Sequence, residues 1–300
     1  MINIIGKRKY WYIFSGTLAL AAVLSISFWG LRLGIDFKGG SILTLDLRHG
    51  VDPATVKNQI ADFSLSSLTV QPSGDTSLII RTQEIDNQTK DKIVAKLAKD
   101  YPQISVDNFQ TIGPTVSRDL TTKAIEAVIF AAIGIIVFVA IAFRGVPKPA
   151  NSWRFGICAI LALLHDLLIV TGVAAILGHF FAWMEIDSLF ITALLTILGF
   201  SVHDTIVVFD RFRENLKRNP GGNFETLANE SVVQTLSRSI LTSVTTIMVL
   251  LSLFLLGGSA IKGFVFTLLF GIFIGTYSSI FNATPLLVTW HNFSLKSKKS

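Results

Sequence analysis

Six apolar stretches, each close to the roughly 20 residues that a helix needs to cross a bilayer, dominate this 300-residue chain. They cover residues 10–29, 124–143, 155–177, 187–209, 239–257 and 263–289. Backbone in lipid must satisfy its hydrogen bonds internally, so such stretches fold as transmembrane helices. Composition agrees. Asp, Glu, Lys and Arg make up 15% of the chain, against about 25% in a soluble domain, too few to coat a water-soluble protein of this length. The single cysteine, Cys158, excludes a disulfide framework and a Cys-rich metal site.

Charge placement divides the chain. Residues 30–123 hold 11 basic and 11 acidic residues, so a net-neutral soluble domain is inserted after the first span. Outside it, basic residues cluster on one side. Lys7, Arg8 and Lys9 precede the first span, and Arg144, Lys148 and Arg154 separate the second from the third. Arg211, Arg213, Lys217 and Arg218 follow the fourth, and Lys296, Lys298 and Lys299 end the chain. The opposite short connections carry only Lys262. The positive-inside rule then places both termini in the cytoplasm and the insert outside it, since long domains translocate regardless of charge. The net charge of +6 is therefore a topology signal, and no nucleic-acid partner is expected. The first apolar run lacks a small-residue cleavage site and reads as an anchor rather than a signal peptide.

Within the insert, Ser41–His49 reads as a strand. Asp52 before Pro53 reads as a helix start, with Val56, Ile60 and Phe63 at helical spacing. Leu68–Gln71 and Ser77–Arg81 flank the turn cluster Pro72–Asp75 and read as a hairpin. A helix over 87–100, with Ile93, Val94 and Leu97 on one face, and a strand over Ile104–Thr111 complete the order βαββαβ, the ferredoxin-like α+β pattern. His49 reads as a solvated strand end. The expected domains are 1–29 (cytoplasmic N-terminus and first span), 30–123 (extracytoplasmic ferredoxin-like domain), 124–289 (spans two to six) and 290–300 (basic cytoplasmic tail).

Ionisable groups inside spans are costly, at about 2.5–3.5 kcal/mol or more, and mark partners or water-filled cavities. Asp166 lies in the third span, His203 and Asp204 in the fourth, and Arg238 at the start of the fifth. Ser201, Asp204 and Thr205 share a helix face. Thr235, Arg238, Thr242 and Thr245 form a polar seam, and Gly263, Thr267, Gly271, Gly275, Ser278 and Asn282 form a stripe that lets helices approach closely. No Walker A or H-E-x-x-H motif is present. Gly34–Gly40 enters a strand, which argues against a phosphate loop. No catalytic residue, metal site or cofactor is expected.

Several motifs now align with a known family. Gly34, Asp36, Phe37, Gly39 and Gly40 (GIDFKGG), Gly113-Pro114, His165-Asp166, Gly199–Asn215, Ser237–Ser243 and Gly275–Pro285 occur in order along nearly the whole chain. The chain resembles the SecF branch of the SecD/SecF protein-export family, within the resistance-nodulation-division (RND) superfamily. The resemblance implies half of an RND-type six-helix bundle in the bacterial inner membrane. It implies action with SecD at the SecYEG translocon, with YajC and SecA-driven preprotein as further partners, on unfolded exported polypeptide. The coupling ion would be H⁺ or Na⁺, with Asp204 and Arg238 the residues carried over by motif and Asp166 and His203 as further candidates. Another essential carboxylate of the family lies on SecD. The family often carries Asn where this chain has His203, and Gly113–Leu120 looks like a divergent hinge. The alternative is half of an RND-type small-molecule or lipid exporter, whose members usually carry two six-helix halves.

The charge pattern yields a direct topology test. In a Cys158→Ser background, Ser73→Cys is expected to react with an impermeant thiol reagent from outside the cell and Ser297→Cys only after permeabilisation. Labelling of both from outside would reverse the orientation.

Overall fold

A computed structural model describes residues 2–48, 50–74, 76–144 and 152–297. His49, Asp75, Lys148, Lys298 and Lys299, which entered the charge and turn readings, lie outside the described residues. In chain order the elements are α1 (Arg8–Trp29), the short turn α2 (Ile35–Lys38), β1 (Gly40–Asp46), α3 (Pro53–Gln59), β2 (Thr69–Ser73), β3 (Ser77–Thr82), α4 (Asn87–Leu97) and β4 (Ser105–Ile112). Then follow α5 (Pro114–Ala142), α6 (Ser152–Phe180), α7 (Ser188–Arg218), α8 (Phe224–Leu256), α9 (Lys262–Ser278), a π-helical segment (Ser279–Ala283) and α10 (Thr284–Ser297). They form two units. A helical unit comprises residues 1–31, 126–184 and 189–300, and an α/β unit comprises 32–125 together with 185–188.

The α/β unit is a four-stranded antiparallel sheet of order β2-β3-β1-β4, with α3 and α4 on one face. Side chains alternate across a strand, so Leu43 and Leu45 of β1 and Leu78 and Ile80 of β3 meet Val56 and Ile60 from the α3 segment and Ile93 and Leu97 of α4 in one apolar core. Asp52 caps α3 through the Ala54 N–H, and Asp86 caps α4 through the Thr89 N–H. Pro72 and Ser73 lie inside β2 rather than in the turn. β2 is an edge strand, where a missing N–H costs no ladder bond. Gly34–Gly40 holds the helical turn α2 before the strand, and Gly40 (φ +127°) passes so near Thr82 that a Cβ would lie 2.6 Å from its carbonyl oxygen.

Among the described residues, six helical segments are long and apolar enough to cross a membrane. Four of them extend two turns or more beyond the sequence-read limits. α5 begins at Pro114, α7 runs on to Arg218, α8 starts at Phe224 and α10 reaches Ser297. An apolar run marks only the lipid-length core of a helix. The polar continuation of α7 is held by pairs one turn apart, Arg213–Asp210 (2.6 Å) and Arg218–Glu214 (2.7 Å). Arg238 is consequently well inside α8 rather than at its start.

The core of this unit is aromatic at one end. Phe143, Phe155, Phe209 and Phe212 are fully buried, with Phe155 and Phe209 ring centroids 5.0 Å apart. Small residues bring helices together elsewhere. A Cβ on Gly172 of α6 would overlap Ala22 of α1. By contrast α5 and α8 bury only 6% and 11% of their most apolar stretches. Ile129, Phe130, Ile133, Val137 and Phe138 therefore face out from α5, as in a helix that meets lipid or another membrane chain.

The α/β core carries a stability prediction. Leu45 is fully buried, and truncation leaves a cavity. Leu45→Ala in a 32–125 fragment is expected to lower urea-unfolding stability by about 2–5 kcal/mol. A change below about 0.5 kcal/mol would mean that the fragment lacks this core.

Candidate functional site

Asp166 is the middle residue of the 29-residue helix α6 and is 1% exposed. It lies where α6, α7 and α9 meet. Its Oδ2 accepts Ser201 Oγ of α7 at 2.7 Å and Ser278 Oγ of α9 at 2.6 Å. Its Oδ1 lies 3.0 Å from His165 Nδ1. The polar chain continues from His165 Nε2 to Asn282 Nδ2 (3.3 Å), and Ser15 of α1 donates to Asn282 Oδ1 (2.8 Å) and meets the Tyr277 hydroxyl (3.0 Å). A buried hydrogen bond contributes about 0.5–1.5 kcal/mol net, and this chain of bonds joins α1, α6, α7, α9 and the π-helical segment around Asp166.

The glycine stripe makes this approach feasible. A Cβ on Gly271 would overlap the Ile197 side chain, and one on Gly275 would lie 3.1 Å from Ser201 Cβ. Gly275 thus sits directly against the residue that donates to Asp166.

Asp204, 7% exposed and on the Ser201 face of α7, is held differently. Its Oδ2 lies 3.5 Å from Ser243 Oγ of α8 and 3.4 Å from Thr276 Oγ1 of α9, and since those hydroxyls also bond each other at 2.5 Å, only one of them donates to the acid at a time. Ser239 is also beside it, with its buried Oγ beyond hydrogen-bond reach. Hydrogen bonds weaken with length. Asp166 is therefore firmly tied, and Asp204 is an acid loosely held by neutral hydroxyls.

Arg238 is exposed on α8. It lines a cleft of about 460 Å³ with Phe143, Val207, Asp210, Glu214 and Thr235. Among the described residues its guanidinium has no ion pair. Asp210 pairs with Arg213, and Glu214 with Arg211 and Arg218. Asp204 and Arg238 are on adjoining helices but are not joined by an ion pair. His203 is exposed on α7 and close enough to Asp204 to interact with it electrostatically.

The inward polar stripe of α8 is Ser231, Thr235, Ser239 and Ser243. Thr242 and Thr245, read as part of a polar seam, are exposed. Both sets have helical spacing. The apolar neighbours on α8 are too uniform to show which polar face turns inward, and only the regular steps of four from Ser231 to Ser243 could have singled out the buried one.

The motif glycines are placed by contact. In the α/β unit a Cβ on Gly34 would lie 3.2 Å from Asp187 Cβ, one on Gly39 (φ +73°) 3.3 Å from the Ile112 carbonyl oxygen, and one on Gly113 3.1 Å from Glu84 Oε1. Phe37 is half-buried, and Pro114 opens α5. Asp36 Oδ2 accepts the Ser188 N–H at 2.7 Å. Glu185 Oε1 takes Arg32 Nε and Arg81 Nη2, each at 3.1 Å. Burial raises the Glu185 carboxyl above its usual range against the opposing pull of Arg81 and Arg32.

Ile197 and Gly271 yield a packing prediction. Gly271→Ala is expected to destabilise the detergent-solubilised protein by about 1–3 kcal/mol through overpacking. Adding Ile197→Ala should restore part of that in thermal unfolding, and no recovery would place the clash elsewhere.

Residues 92–293 match the family described as protein export membrane protein SecD/SecF, C-terminal, and residues 25–51 match the SecD/SecF GG motif. The chain is 43% identical to protein translocase subunit SecF of Thermobaculum terrenum, over 97% of this chain and 95% of that one. It is 40% identical to protein translocase subunit SecF of Anaerolinea thermophila, with the same coverage. It is similar to the crystal structure of SecDF, a translocon-associated membrane protein from Thermus thermophilus, with a TM-score of 0.85 and 32% identity. That likeness covers 97% of this chain but 39% of the SecDF chain.

Proposed function

The chain belongs to the SecF family of protein translocase subunits in protein export, and from that premise we propose that it acts with SecD to convert a proton or sodium gradient into translocation of exported protein. The observation that carries this reading is Asp204, a carboxylate inside a membrane helix bundle whose hydrogen bonds among the described residues are long ones to hydroxyls. Burial disfavours a charged carboxylate and a cation favours it, so an acid poised between the two can take up and release an ion. One elementary charge crossing the membrane supplies about 2.3 kcal/mol per 100 mV, so several ions serve one large displacement.

Arg238 completes the assignment. Its guanidinium lacks an ion-pair partner among the described residues and lines an open cleft, which suits a carboxylate supplied by SecD. Asp166, with its three short bonds, is proposed as the fixed point of the bundle, and His203 as peripheral to the ion path. The SecYEG translocon, YajC and SecA-driven preprotein are proposed further partners. Residues 30–123 are proposed as a ferredoxin-like extracytoplasmic domain, supported by the sheet order β2-β3-β1-β4. Residues 1–29 would hold the cytoplasmic N-terminus and first span, 124–289 spans two to six and 290–300 a cytoplasmic tail, all in the bacterial inner membrane. No catalytic role is assigned.

Asp204→Asn and Arg238→Met are expected to assemble with SecD yet fail to stimulate gradient-dependent export in membrane vesicles. Arg238→Lys, which keeps charge but loses the planar fork, should be partly active at most. Normal stimulation by Asp204→Asn and Arg238→Met at equal expression would assign both residues a structural role and move the ion path elsewhere.

A further inference from the structure

Asp166 and Asp204 are both buried acids of the helical unit, and their surroundings supply them very differently. Three short contacts serve Asp166. Around Asp204, Ser243 and Thr276 share a hydrogen bond of 2.5 Å, which leaves one of the two to donate to the acid from 3.4 or 3.5 Å. Ser239, one turn before Ser243 on α8, stands beside the same acid. It is 1% exposed, and its Oγ has no hydrogen-bond partner among the described residues. A buried hydroxyl left unpaired costs about 1–3 kcal/mol. The chargeable neighbour that Asp204 feels is His203, and no lysine or arginine among the described residues pairs with it.

The carboxylate and three hydroxyls converge from α7, α8 and α9. All are hard oxygen donors, the set that hard cations take. Their spacing is that of ligands rather than of hydrogen bonds. An O–H···O⁻ bond is about 2.5–2.7 Å long, much shorter than the contacts of Asp204. Oxygens bound to one cation at about 2.4 Å and set at right angles lie about 3.4 Å apart, the separation seen between Asp204 Oδ2 and its two hydroxyl neighbours.

The number of oxygens separates the ions that could sit here. A proton on Asp204 needs one acceptor and leaves the other hydroxyls without a task. A divalent cation beside a single carboxylate leaves net positive charge in the bundle, which is costly. A monovalent cation neutralises the acid and uses every oxygen. Close packing favours a small one: a Cβ on Gly275, next to Thr276, would lie 3.1 Å from Ser201 Cβ, one turn from Asp204. The Thr276 hydroxyl also reaches the Ile272 carbonyl at 2.9 Å, so its proton has an acceptor while its lone pairs face the ion.

We propose that Asp204, Ser239, Ser243 and Thr276 form a sodium-binding site, with Ser239 the residue that distinguishes sodium from a proton. The proposal rests on the reading of Asp204 as the ion-coupling acid and names its ion. Sodium entering between the oxygens replaces the bond between Ser243 and Thr276 and gives Ser239 the partner it lacks.

The test uses the full chain co-assembled with SecD. In vesicles, a sodium gradient imposed with the proton gradient collapsed is expected to stimulate export. In detergent, sodium is expected to raise the unfolding temperature of the assembly, and potassium or choline at equal ionic strength is not. Ser239→Ala removes a hydroxyl that has no protein partner, so folding should be unaffected. Its half-saturating sodium concentration for export should rise about tenfold, with export at saturating sodium within about twofold of wild type. An unchanged sodium response in Ser239→Ala overturns the site. So does export that runs on the proton gradient alone in sodium-free buffer, or an unfolding temperature that sodium moves no more than potassium does. If Ser239→Ala does not assemble, the comparison of sodium with potassium on the wild-type assembly decides. The two readings fail separately. A proton-driven wild type with an inactive Asp204→Asn removes sodium and keeps the coupling acid, whereas an active Asp204→Asn defeats the coupling reading itself.

Discussion

One carboxylate at the middle of α6 sets the geometry of the helical unit. A carboxyl group so deeply buried is tolerated only with its oxygens hydrogen-bonded, and Asp166 finds its partners on α7, on α9 and on its neighbour His165. Those donors are short serines, so the helices that carry them must come near. Gly271 and Gly275 make that approach sterically feasible. The glycines and the acid are thus two halves of one requirement: without the small residues the serines would fall short, and without the acid the close approach would have no polar centre.

Asp204 gains its character from the same packing. It stands one turn from Ser201 on a helix already fixed by Asp166, and it meets α8 and α9 through longer contacts. Under the proposed function, the firmly held acid keeps the bundle in register while the loosely held one changes state. The outward faces of α5 and α8, with little of their apolar surface covered, leave the Arg238 side of the bundle open to a second membrane chain.

Much of this was legible in the sequence. The six spans follow from apolar length, and the strands and helices of the α/β unit from period-two and period-four patterns with Asp52 as a cap; the Asp86 cap of α4 emerges only in the structure. The intramembrane acids stood out because charge in lipid is costly. Three things were hidden, each for a physical reason. The polar ends of α7 and α8 lack the apolar signal that reveals a span. The inward face of α8 is decided by its neighbours rather than by its own periodicity. The tie from Asp36 to Ser188 joins residues far apart in the chain, and no local pattern records it.

The π-helical segment Ser279–Ala283 adds a further consequence. Pro285 has no N–H to return to the carbonyl four residues back, and a wide turn at that point absorbs one surplus residue. Both Ser278 and Ser279 face inward as a result, one bonding Asp166 and the other Thr205. Chain length here is consequently quantised. Removing one residue from the wide turn would leave an ordinary α-helical turn and keep everything beyond it facing as it does now, whereas removing one from the regular helix that follows would turn what lies beyond by about 100°. The second deletion would swing His291 off the Phe224 ring, which it now stacks against at 3.9 Å. The wide turn is therefore the one place in this stretch where a residue can be lost without rotating the last helix.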